Sequence, residues 1–217
     1  MSNVVPIGLP KRLSLSQRQS ALLQSFAKHR RATDDVYWLK ENAEILNILA
    51  TSRASLPSQA LETYSEFYET IEERLRFFPQ YYRFILSICL DLEDLGLDGG
   101  KGQFLCEWVG RSELTASELS DLQRAETRRL LSRRGGSGQD EHLSDRLARF
   151  MCHADTFAVP NKKAAYELTH IVFYLSDYGA RKITLPERAV TSLEFAGVLA
   201  YLDQDIDLLS EVCVALR

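Results

Sequence analysis

An all-α fold is predicted for this 217-residue chain by two features of its sequence. Apolar residues recur at the helical period of 3.6 throughout, and no segment alternates long enough to make a strand. Helix-starting and helix-stopping residues leave about ten helices with short connections, the pattern of antiparallel helical pairs. A chain of this length buries roughly 70 % of its unfolded surface, so a core forms without staples.

In chain order, residues 1–13 are a flexible leader and residues 14–217 a single helical domain. Ser14 or Ser16 caps a helix to Arg31, and Asp34-Asp35 starts a second that reaches Ser52. Pro57 breaks the chain, and Ser58 caps a helix to Arg76. Pro79 opens the next helix, which ends at Gly96 before the turn-rich Leu97 to Gly102, and a short helix runs from Gln103 to Gly110. Thr115-Ala116-Ser117-Glu118 has the spacing of a capping box, predicting a long helix from there to Arg134. Gly135-Gly136-Ser137-Gly138 is the most flexible internal point. His142 to Ala154 is amphipathic, Asp155 to Asn161 is a loop, and Lys162 to Tyr178 is helical with Gly179 as its left-handed closing residue. Pro186 opens the following helix, and Asp203 or Asp205 caps the last.

Leu92-Glu93-Asp94-Leu95-Gly96 is echoed 83 residues later by Leu175-Ser176-Asp177-Tyr178-Gly179. A second echo relates Trp38 to Leu46 with Tyr201 to Leu209 at an offset of 163, close to twice the first. A shared period divides the domain into two four-helix repeats, about 36–112 and 116–200, plus a C-terminal helix. It favours a curved α/α toroid or short helical solenoid.

A formal net charge of -4 argues against a general nucleic-acid binder. The densest basic clusters, Lys28-His29-Arg30-Arg31 and Arg124, Arg128, Arg129, Arg133, Arg134, read as solvated helix faces. Cys89, Cys106, Cys152 and Cys213 lie far apart in apolar context, as reduced core thiols do. No segment has the pattern of a signal peptide, a membrane span or a lipidation site. A cytoplasmic protein with neither membrane nor nucleic acid as partner is expected.

The richest candidate site is the run Tyr166 to Gly179. Glu167, His170, Tyr174 and Asp177 share one ~100° sector, while Leu168, Ile171, Val172, Phe173 and Leu175 cover most of the rest. A helix apolar on nearly every side is buried, and buried polar groups need partners or a purpose. An imidazole flanked by carboxylates suits general acid-base work. The same four residues also suit a structural polar network, with His170 bonded to a carbonyl and Asp177 fixing the following loop. A pocket shared by His170 and Asp177 would favour the site reading.

Cys106, Cys152 and His153 are a second constellation, short of local metal spacing because no C-x-x-C or H-x-x-x-H is present. The set resembles the Cys and Cys-His zinc ligands of the lanthionine cyclases, whose fold is a ring of helical pairs. Ala154 replaces the glycine that follows Cys-His in that family, and the chain is about half the expected size. Buried, unligated thiols are the simpler reading, and no cofactor is expected. Nucleophile-elbow, P-loop and dinucleotide motifs are absent. Asp91-Leu92-Glu93-Asp94 lacks the Asp-Asp-x-x-Asp spacing of terpenoid enzymes and reads as a solvated helix end. The aromatics Phe67, Tyr68, Phe77, Phe78, Tyr81, Tyr82 and Phe84 read as core packing at a helix corner.

Thr169 to Gly179 resembles a Thr-His-x-x-aromatic-aromatic-x-x-Asp-aromatic-Gly pattern of uncharacterised bacterial all-helical proteins, relatives of the helical toroids. The resemblance implies a concave ring of helices with His170 and Asp177 near its inner layer, and it implies no reaction. The expected role is binding a small molecule or peptide in a central concave site. The alternative is a non-enzymatic interaction or assembly module.

Overall fold

In the computed structural model the described residues are 13–33, 35–112, 114–136 and 140–217. The predicted leader falls, but for Leu13, outside them, as do Asp34 and the Ser137-Gly138 part of the glycine-rich loop. Among the described residues the chain is all-α, without a strand. Among the described residues no helix is long and apolar enough to cross a membrane.

Ser14 begins α1 (Leu15–Gln24) with a reciprocal capping box to Gln17, and the helix runs on into a wider π turn, Ser25–His29. Asp35 accepts from the Tyr37 amide to start α2 (Val36–Thr51). The helix predicted from Ser58 to Arg76 is instead three short ones, α3 (Ser58–Leu61), α4 (Ser65–Glu69) and α5 (Ile71–Phe77), with a 3-10 turn between the first two. Two side chains account for the breaks. The Tyr64 hydroxyl is drawn to Asn42 Oδ1 at 2.7 Å, and Thr70 Oγ1 bonds back to the Glu66 carbonyl at 2.9 Å.

Beyond a 3-10 turn at Pro79–Tyr81 lie α6 (Tyr82–Asp94) and α7 (Lys101–Arg111). The capping box expected at Thr115 does not form. Glu118, its reciprocal partner, is bonded to Arg83 Nε at 2.9 Å, and residues 114–117 make a 3-10 turn. The box forms five residues later, between Ser120 and Gln123, and starts α8 (Asp121–Ser132).

The remainder is α9 (Leu143–Met151), α10 (Ala154–Phe157), α11 (Lys162–Ser176), α12 (Glu187–Leu202) and α13 (Ile206–Ala215). Phe157, buried against Phe150, makes a helical turn of part of the predicted Asp155 to Asn161 loop. Asp205 caps α13.

Two hydrophobic cores result. The first runs from Leu23 of α1 through Trp38, Tyr64 and Ile88 to Leu130 and Leu131. The second gathers Ala125, Leu147, Leu168, Leu193 and Val212. Helix α8 contributes to both, so the two cores share a wall.

Within the first core, Glu93 acts as a capping group supplied from another helix. Its Oε1 accepts from Tyr68 at 2.6 Å and from the Gly102 amide in the first turn of α7 at 2.7 Å, and its Oε2 meets Arg134 at 2.9 Å. Burial alone would raise the carboxyl, yet the Tyr68, Gly102 and Arg134 hydrogen bonds hold it below the ordinary carboxylate value. A depressed folded-state pKa contributes stability above the unfolded pKa that disappears as pH falls through the folded one. Glu93→Gln is expected to cost roughly 1–3 kcal/mol at neutral pH. Urea titrations below pH 4.5 check the sign: the wild type loses stability on acidification and the variant's deficit narrows. A deficit constant with pH would show that the charge contributes nothing.

Candidate functional site

Helix α8 and the two residues after it carry Arg124, Arg128, Arg129, Arg133 and Arg134. The solvated face expected of them is corrected by the structure, because α8 is packed on two sides. Side chains of Arg129 and Arg133 are 5 % and 11 % exposed. Asp91 and Glu93, expected on a solvated helix end, are buried or nearly so at 1 % and 10 %. Arg133 Nη2 lies 2.8 Å from Asp91 Oδ1 and 2.6 Å from Asp94 Oδ2, while Arg134 holds Glu93 and Asp94. The other basic cluster stays at the surface, with Arg30 and Arg31 sharing Glu41.

C-terminal ends of α2, α6, α8 and α11 meet around two adjoining clefts. Helix C-termini carry partial negative charge and unpaired carbonyls, which favours arginine there. The smaller cleft, 130 Å³, is lined in part by Asn47, Arg53, Asp91, Asp94, Arg129, Arg133 and Asp177. Its three arginines and three aspartates balance. Asn47 Nδ2, Asp91 Oδ1, Arg129 Nε and Arg133 Nη1 are four of the six buried side-chain atoms lacking a hydrogen-bond partner among the described residues. Asp91 Oδ1 thus has Arg133 for its counter-charge without hydrogen-bond alignment. Buried groups left this way are uncommon in folded proteins and mark places where water or ligand is accommodated.

The larger cleft, 530 Å³, opens between α8 and α11 and is lined by Ala125, Arg128, Arg129, Ser132, Ser144, Tyr174, Leu175, Asp177, Ala180 and Arg181, with Gly136 at its edge. Its size falls in the range of small-molecule sites. Arg128, Arg129 and Arg181 face one carboxylate, Asp177, a surplus of two positive charges. The Arg129–Asp177 pair, 3.0 Å between Nη1 and Oδ1, belongs to both clefts and separates them. Arg129 also lies over the Tyr178 ring at 4.9 Å and the Tyr174 ring at 5.8 Å.

The turn that presents Asp177 is conformationally costly. Asp177, Tyr178 and Gly179 are all left-handed, with φ of 48°, 52° and 86°. The C′ position predicted for Gly179 falls to Asp177, two residues earlier. Tyr178 N bonds Phe173 O at 2.7 Å and Asp177 N bonds Tyr174 O at 3.4 Å, the paired bonds of a Schellman ending. A left-handed tyrosine costs of order 1–2 kcal/mol. Stacking on Phe173 at 5.7 Å, the Arg129 contact and the Arg181 amide on Ser176 O hold it there.

The four residues of the predicted stripe are divided. Tyr174, buried, and Asp177 line the larger cleft. His170 is not among the lining residues; its Nδ1 sits 2.7 Å from the Tyr166 carbonyl and 3.6 Å from Glu211 of α13. Thr169 binds the same Glu211 oxygen at 2.6 Å. Glu167 is partly exposed and lines neither cleft. His170 and Asp177 therefore do not open onto a shared cleft, and His170 fits the structural network at the α11–α13 contact.

The Cys106, Cys152 and His153 set is not assembled. Cys106 is buried in the first core beside the Leu130 carbonyl, whereas Cys152 packs against the second. Among the described residues no group of three or more His, Cys, Asp or Glu is placed to hold a metal. Burial lifts the Cys89 and Cys106 thiols above their ordinary value, Cys106 to about 11, which keeps them protonated and poorly nucleophilic.

Arg128, Arg129 and Arg181 were legible as charges but not as a cluster. The available signal was that Leu122, Ala125, Leu130 and Leu131 point to different sides of α8, leaving no wide polar face for the arginines.

No curated protein and no solved structure matches the chain. A match over residues 1–217 to the family described as Domain of unknown function (DUF6902) covers the whole chain, which belongs to that family.

Proposed function

We propose that the protein binds a small molecule non-covalently in the cleft between α8 and α11, at the concave centre of a short, curved stack of helical pairs. The observation that carries this reading is the 530 Å³ cleft, lined by Arg129, whose Nε is buried without a partner, and by Tyr174 and Asp177. Strain held in the Asp177 turn supports it, since such conformations cluster where side chains must be presented. The convergence of four helix ends on one centre supports the toroid-like arrangement. Four unpaired cysteines are in keeping with a cytoplasmic setting.

Thermal-shift screening against a panel of acidic, neutral and basic metabolites tests the proposal. At least one class is expected to raise the melting temperature of the wild type and not of Ser132→Trp, which fills the larger cleft alone from an exposed position. Equal shifts in both proteins would place binding elsewhere and overturn it.

A second reading, an interaction module, is favoured by a different observation. Phe195, Val198, Tyr201, Leu202 and Ile206 of α12 and α13 are exposed, three of them by more than 65 %. Contiguous exposed apolar side chains mark association surfaces.

A further inference from the structure

The geometry points to a small organic phosphate monoester as the occupant of the larger cleft, its phosphate held by Arg128, Arg129 and Arg181 and its organic part against Tyr174 and Leu175. This deepens the small-molecule reading above and rests on it.

Charge comes first. Among the described residues Arg128 donates only to Ser144 Oγ, at 3.0 Å, and Arg181 gives both Nε, at 3.0 Å, and Nη2 to the Leu175 carbonyl, leaving Nη1 for an anion; neither is salt-bridged. Arg128 is held below the ordinary guanidinium value by burial and by the nearby Arg181, against a smaller opposing pull from Asp140, whose own ion pair is with Arg146. The neighbouring cleft, in which arginines and aspartates balance, offers no such surplus.

Shape and valence narrow the choice. A phosphate monoester carries roughly −1.5 to −2 charges at neutral pH, which matches the surplus of two, whereas a single carboxylate leaves half of it unmet. Planar guanidinium groups bind tetrahedral oxyanions through paired N–H donors, and Arg129 Nε is buried with no acceptor. The cleft is far larger than an oxyanion alone, and Ala125, Leu175 and the Tyr174 ring give its inner wall an apolar surface. Asp177, the one carboxylate of the lining, pairs with Arg129 and would compete with an incoming anion.

Isothermal titration of the full chain at fixed ionic strength tests this, with glycerol 3-phosphate, ribose 5-phosphate and phenyl phosphate as probes, inorganic phosphate as the bare ion and glycerol as the neutral control. At least one ester is expected to bind more tightly than inorganic phosphate, with no heat from glycerol. Arg128→Gln and Arg181→Gln are each expected to weaken ester binding about tenfold, a ΔΔG of 1.4 kcal/mol. Asp177→Asn, which keeps a residue tolerant of the left-handed turn, is expected to tighten it. Inorganic phosphate binding as tightly as every ester overturns the monoester assignment, as does ester binding unchanged in both arginine variants. If neutral or basic panel compounds bind in the cleft and no ester does, the phosphate class fails while the small-molecule reading stands. If no class binds in the cleft, both fail.

Discussion

Arg133→Met is expected to destabilise the protein by about 3–5 kcal/mol, because it strips a buried carboxylate of its counter-charge. Asp91 is fully buried, and Arg133 lies 2.8 Å from it. Burial pushes the Asp91 carboxyl up, against the pull of Arg133 and Arg129. A raised folded-state pKa means that the protonated form is the better tolerated one, so the deficit of the variant shrinks as pH falls and Asp91 takes up a proton. Urea denaturation at pH 7 and pH 4 reads both quantities. Asp91→Leu combined with Arg133→Met is expected to recover most of the loss, since neither member of the pair is then left buried without the other. Wild-type stability of Arg133→Met at pH 7 would mean that Asp91 is neutral in the folded protein.

Trp38→Ala is expected to cost about 3–5 kcal/mol through the cavity it leaves. The indole is 1 % exposed, packs on Phe67 at a ring distance of 4.9 Å and donates Nε1–H to the Ala27 carbonyl at 2.9 Å. That bond ties the π turn after α1 to α2. Asn42 strengthens the same joint by donating to Phe26 O and Trp38 O while accepting from Tyr64. Trp38→Phe keeps most of the buried area and loses the hydrogen bond, so a loss of roughly 1–2 kcal/mol is expected. Thermal melts of the two variants separate packing from bonding. Equal losses would assign the whole effect to the bond.

Helix class was legible because period and caps are local. Asp35 and Asp205 each cap the helix that the sequence places after them, and Tyr166 to Leu175 forms a helix buried along Leu168, Ile171 and Val172 as its composition requires. Boundaries failed where a side chain answered a distant partner. Glu118 left its capping box for Arg83, and Tyr64 left a helical run for Asn42. The candidate site was half legible for the same reason. Tyr174 and Asp177 were found from their own helix, but Arg128, Arg129 and Arg181 come from two elements, and charged residues are exposed often enough that α8 read as a surface. His170 is polar and conspicuous in an apolar run, yet its partner Glu211 lies 41 residues on, and no local pattern announces that pairing.

Helix α8 gives Leu130 and Leu131 to one core and Ala125 to the other. Neither half therefore possesses a complete hydrophobic interior of its own, and unfolding one side exposes the wall on which the other rests. The two sides are expected to unfold together, in one transition rather than two. A ligand bound in the cleft on that shared helix would add its binding free energy to the stability of both sides at once.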